Sequence, residues 1–121
     1  MILSAEAVKN TVRAAIEATS GAGVDILTGI RNIARGAVTG ASEVGGDIAR
    51  TSVAAVEGAI EAAGKVGVDT SKAVGSAVTG GIQAADKIGS EAGSTARKAL
   101  LNTASLPRDV VEKTIQGSVK K

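Results

Sequence analysis

The chain has no Phe, Tyr or Trp, no Cys, no His and a single Pro among its 121 residues. Each absence removes a class of chemistry. Without histidine there is no imidazole for general-base catalysis or metal ligation. Without cysteine there is no disulfide, no thiolate nucleophile and no sulfur ligand, a usage that fits a reducing, intracellular setting. The missing aromatics remove the platforms on which single-stranded bases stack. Net charge is only +2, from 14 Lys and Arg against 12 Asp and Glu, and no basic block exists beyond Lys120-Lys121. That is not the footprint of a nucleic-acid binder. The longest uncharged run, Ala73 to Ala85, is too short to cross a bilayer as a helix. The start, Met1-Ile2-Leu3-Ser4-Ala5-Glu6, lacks the basic opening and long apolar stretch of a secretory signal. The expectation is an intracellular protein, soluble or peripherally membrane-associated, with no cofactor, no metal and no nucleic-acid partner.

What is present is small and periodic. Alanine supplies 23 of the 53 hydrophobic residues, and 16 residues are glycine. Stepping by 3.67 residues from Met1 gives 33 stations ending at Ser118, among them Val56, Ile60, Val74, Val78 and Ile82, and none is Asp, Glu, Lys or Arg. With phase and period left free, such a series would arise by chance roughly once in a hundred. Three turns in eleven residues keeps one helical face apolar over a great length without a left-handed supercoil. The fold class read from this period is all-α, with long amphipathic helices in a helical hairpin or extended bundle. Val, Ile and Thr together number 34, but the strict alternation of a half-buried strand is sustained nowhere.

Punctuation divides the chain into an N-terminal helix over 1–22, a long helical repeat region over 23–101 and a short C-terminal helix and tail over 105–121. Ser4 is placed to cap the first helix, and Ser20-Gly21-Ala22-Gly23 to end it. Gly23-Val24-Asp25 recurs as Gly67-Val68-Asp69, 44 residues on, each Asp suited to open a helix, and Ala37-Val38-Thr39-Gly40 recurs as Ala77-Val78-Thr79-Gly80. The main break is expected at 64–68, separating helices of roughly 25–64 and 69–101. Gly45-Gly46 and Gly80-Gly81 are weaker break points, since the stripe stays in phase through both. Pro107 closes the long pattern, with Ser105 or Leu106 as the cap of the last helix and Gly117 past its end.

Two motifs dissolve on inspection. Gly58 to Gly64-Lys65 is one residue too long for a phosphate loop and has Val66 where a magnesium-binding hydroxyl belongs, and Ser118 with Lys121 forms only a chance Ser-x-x-Lys string at a terminus. The chain is therefore not expected to be an enzyme. More informative are Ala73, Ala77, Gly81, Ala85, Gly89 and Gly93, six small residues at four-residue spacing, which form a candidate seam for close helix packing. Lys9, Arg13, Arg31, Arg35 and Arg50 each stand one position beyond a station, as basic flanks do on helices lying on anionic lipid.

The eleven-residue period, the Gly/Ala/Val/Lys alphabet and the stretch Gly64-Lys65-Val66-Gly67-Val68-Asp69-Thr70-Ser71-Lys72-Ala73-Val74-Gly75 resemble synucleins and perilipins, and are similar in style to phasins and helical late-embryogenesis-abundant proteins. The likeness spans roughly residues 24–100, without the synuclein hexamer Lys-Thr-Lys-Glu-Gly-Val. It implies binding to a membrane, droplet or granule surface and no catalysis. Two functional expectations follow. In one, a structural protein self-assembles into a homo-oligomer through the small-residue seam. In the other, a peripheral protein coats an anionic membrane, lipid droplet or polymer granule with its apolar stripe.

Overall fold

The computed structural model describes residues 4–20 and 25–119, and among these the regular structure is all helical, with six helices and no strand. Their starts follow from short polar side chains satisfying the first free amides. Ser4 Oγ accepts from Ala7 N at 3.0 Å to open α1 (Ala5–Thr19). Asp25, Asp47 and Asp69 do the same for α2 (Ile26–Glu43), α3 (Ile48–Val66) and α4 (Thr70–Ile88), accepting from Leu27, Arg50 and Lys72 at 3.1 Å each. The three caps stand at 25, 47 and 69, two equal intervals of 22 residues. Two further helices, α5 (Ser90–Asn102) and α6 (Arg108–Val119), complete the bundle.

The breaks differ from the expected ones in number. The turn expected at 64–68 occurs at Gly67, whose φ of +79° is the left-handed conformation that glycine adopts without penalty. The helix expected over 25–64 is cut at Gly45, φ +75°, and restarts behind the Asp47 cap. The helix expected over 69–101 bends at Gly89, which has no side chain to cap α5. Gly80-Gly81 stays inside α4. Pro107, rather than Ser105 or Leu106, supplies the carbonyl that accepts the first bonds of α6, from Val110 N and Val111 N at 3.1 Å, and that helix runs through Gly117. The expected first terminator lies largely outside the described residues.

Packing pairs α1 with α3 and α2 with α4, and the two middle helices α3 and α4 each touch four others, so the core lies along them. Ile16, Ile30, Val56, Val74, Val78, Leu100 and Val111 fill the principal cluster. A second, smaller cluster of Val38, Ala84, Ala85 and Ala96, backed by Ile48 and Ala92, closes the end near the Gly45 and Gly89 bends.

With no aromatic residue to fill space, the helices come together through glycine. A Cβ placed on Gly80 would overlap the Arg31 carbonyl oxygen of α2, and one on Gly58 would lie 2.6 Å from the Lys9 carbonyl oxygen of α1. Backbone replaces side chain as the packing surface at both crossings. Gly80→Ala should therefore destabilise the fold by about 2 kcal/mol or more despite the better helix propensity of alanine, whereas Gly36→Ala should stabilise it by up to about 1 kcal/mol. Gly36 lies inside α2 with nothing within 4 Å of its added carbon. Paired urea titrations check the contrast in sign. Ser52 gives a second test: its side-chain oxygen is buried on α3 without a hydrogen-bond partner, so Ser52→Ala should be neutral or stabilise by about 1 kcal/mol in the same titration.

Candidate functional site

Most of the named stripe and seam residues lie inside. Val56, Val74, Val78 and Ile82 are buried and Ile60 is half-buried against the same cluster, so the uncharged face meets other helices of its own chain. Of the seam residues, Ala73, Ala77, Gly81, Ala85 and Gly93 are buried. Gly89 does not join them: it forms the α4–α5 bend, and nothing lies within 4 Å of a Cβ built on it. Gly81 meets only ordinary contact, Val38 Cγ2 at 3.8 Å, so the tightest crossings are at Gly80 and Gly58, which the seam did not include. Both are preceded or followed by similar small residues, and composition gave no sign of which glycine opposes a backbone.

The five basic flanks do not form one surface. Lys9 and Arg13 reach across from α1 to Glu61 of α3, at 3.5 and 3.6 Å, and Lys65 returns to Glu17 at 3.8 Å. Glu6 and then Glu61 raise the Lys9 ammonium above its ordinary value by attraction. Arg31 lines a shallow groove with Lys72, Ser76 and Thr79, Arg35 donates to Asn32 Oδ1 at 2.8 Å on its own helix, and Arg50 pairs with Asp47 at 4.0 Å. Their sequence offset from the stripe is constant, but the bends distribute them over three helices.

The strongest polar tie spans the Gly89 bend. Arg97 of α5 donates from Nη1 to Asp86 Oδ1 at 2.8 Å and from Nη2 to Oδ2 at 3.0 Å, a parallel two-point pair. Gly93 makes room for it, because a Cβ there would collide with Asp86 Oδ1. The Arg97 hydrogen bonds hold the Asp86 carboxyl below the ordinary carboxylate value, and the Asp86 bonds raise the guanidinium in turn.

Two openings adjoin these features. A groove of about 250 Å³ between α1 and α2 is lined by Ala7, Val8, Thr11, Val12, Ala37, Gly40 and Ala41 and is almost wholly apolar. Val44, at the C-terminal end of α2, is 65% exposed. A second opening, about 430 Å³, contains Asp86 and Arg97 with Thr79, Gln83 and Thr114. Among the described residues no group of His, Cys, Asp or Glu is arranged to hold a metal ion, and no helix is long and apolar enough to cross a membrane. Comparison with protein-family models, curated proteins and solved structures finds no match.

Asp86 is about half exposed, so water screens the pair and its coupling should be about 1 kcal/mol or less. Its depressed folded value makes that contribution fully present above the unfolded carboxylate pKa, and lost as pH falls through the lower folded value. A double-mutant cycle of Asp86→Asn and Arg97→Gln should show the coupling at neutral pH and a progressive loss as pH is lowered below the ordinary carboxylate range.

Proposed function

We propose that the protein is a non-enzymatic structural protein that stores an apolar helical face in a closed bundle and applies it to an apolar surface, as a peripheral coat on a membrane, lipid droplet or hydrophobic granule. One observation carries this reading. The bends at Gly45, Gly67 and Gly89 are spaced by 22 residues, six helical turns at 3.67 residues each, and all three glycines are stations of the uncharged stripe. A bundle needs each helix to be amphipathic, but it has no need for successive helices to share one phase across their turns. A single long helix lying on a surface does need that. Helical residues at the bends would join α2 to α5 with the stripe unbroken.

A second reading, self-association into a homo-oligomer, draws on a different feature. The apolar α1–α2 groove, and exposed Val44 at the end of α2, offer apolar surface suited to a second copy of the chain. On this reading Val44→Asp dissociates an oligomer that sedimentation detects. On the surface reading the same change leaves the solution species unaltered.

The direct experiment is hydrogen exchange with and without phosphatidylcholine-covered oil droplets. Amides 47–49, 69–71 and 90–92, which precede the first backbone bonds of α3, α4 and α5 from Thr51, Ala73 and Gly93, should exchange quickly in the free protein and slow by tenfold or more on droplets, as the bends become helical. Failure to float with droplets, or binding with the bends still exchanging quickly, would contradict the proposal.

A further inference from the structure

The α4–α5 bend is built differently from the other two. Asp47 and Asp69 restart their helices with a side-chain hydrogen bond, but Gly89 offers none to α5. Its end of the bundle is closed by the smaller cluster of Val38 and alanines, backed by Ile48, with Ile88 45% exposed beside it. Across that bend lies the two-point Asp86–Arg97 pair, seated in space left by Gly93. In a continuous helix, residues eleven apart lie about 16 Å apart along the axis, so the pair can exist only while the bend is closed.

We infer that Asp86 and Arg97 form a latch holding the α4–α5 elbow shut, and that its release lets the two helices straighten into one whose face of Val74, Val78, Ile82, Ala96 and Leu100 meets a phospholipid-covered surface. The inference rests on the surface reading above and adds where the bundle opens first. All five apolar residues are buried stations of one stripe, and three stations, Ala85, Gly89 and Gly93, connect them without a charge. The other interhelical ion pairs lie elsewhere, between α1 and α3, and straightening α4 with α5 leaves their two helices together. Phospholipid is favoured over a charged polymer because the released face carries no charge, and opening sets Arg97 and Asp86 free to reach zwitterionic headgroups.

The chain has no native cysteine, so spin labels on cysteines introduced at exposed Ser71 and Lys98 report the elbow directly. A straight helix separates these positions by about 40 Å. The full-length protein should show a shorter distance in solution and the long one on phosphatidylcholine-covered droplets. Arg97→Gln and the more conservative Asp86→Asn should reach the open distance at roughly 2- to 5-fold less lipid, and Glu112→Gln, which breaks an exposed pair within α6, should not. Circular dichroism on each variant confirms a folded starting state. A short distance retained on droplets, or identical lipid midpoints for all forms, would overturn the latch. Elbow opening in Arg97→Gln without droplet binding by any form would uphold the latch and reject the surface reading. Opening that rises with protein concentration and yields a dimer would assign the face to a second copy and overturn the lipid assignment.

Discussion

The whole arrangement depends on helices approaching until backbone meets backbone. Gly80 admits the Arg31 carbonyl and Gly58 the Lys9 carbonyl, and these two crossings join α2 to α4 and α1 to α3, the pairs on which the core is built. Aromatic side chains would hold the helices apart and fill the gap themselves. This chain has none, so many short dispersion contacts along alanine, valine and isoleucine faces must stand in for a few large ones. The result is a core distributed along α3 and α4 rather than concentrated at one centre.

A distributed core of this kind has an uneven grip. The principal cluster draws on all six helices and three ion pairs tie α1 to α3, whereas the end beyond Gly45 and Gly89 is closed by Val38, alanines, Ile48 and one arginine–aspartate pair. Local opening starts where few apolar contacts must be lost. That asymmetry turns a static bundle into a candidate for stepwise opening, with the stripe as the surface released.

Helix identity was legible in the sequence because the uncharged stripe and the Ser4 and Asp caps speak about local backbone, and Gly67 and Pro107 mark boundaries for reasons of φ and of a missing amide. The number of helices was harder. Gly45 and Gly89 keep the stripe in phase, so hydrophobic periodicity passes through them without a signal, and Asp47 as a cap was visible only once the 22-residue spacing was laid beside Asp25 and Asp69. The seam was read as a four-residue ladder ending at Gly93, yet Gly80, one position outside that ladder, makes the closest crossing. Which of several glycines faces a carbonyl depends on the partner helix, and one helix's sequence does not encode that. Lys9 and Arg13 likewise look like free flanks until folding brings Glu61 opposite them.

The central claim is that phase coherence across the bends exists for a continuous helix, and loop insertions separate it from bundle stability. One alanine inserted between half-buried Val68 and exposed Asp69 lengthens the α3–α4 turn, which costs a bundle a few tenths of a kcal/mol, but rotates everything after it by about 100° in a continuous helix. Four inserted residues lengthen the turn further and return the stripe to within about 40° of its original phase. The measurement is droplet flotation of both insertions alongside their melting curves. The account predicts near-normal melting for both, with binding lost by the single insertion and largely regained by the fourfold one. Equal binding by both would show that the phase of the stripe has no bearing on what this protein does.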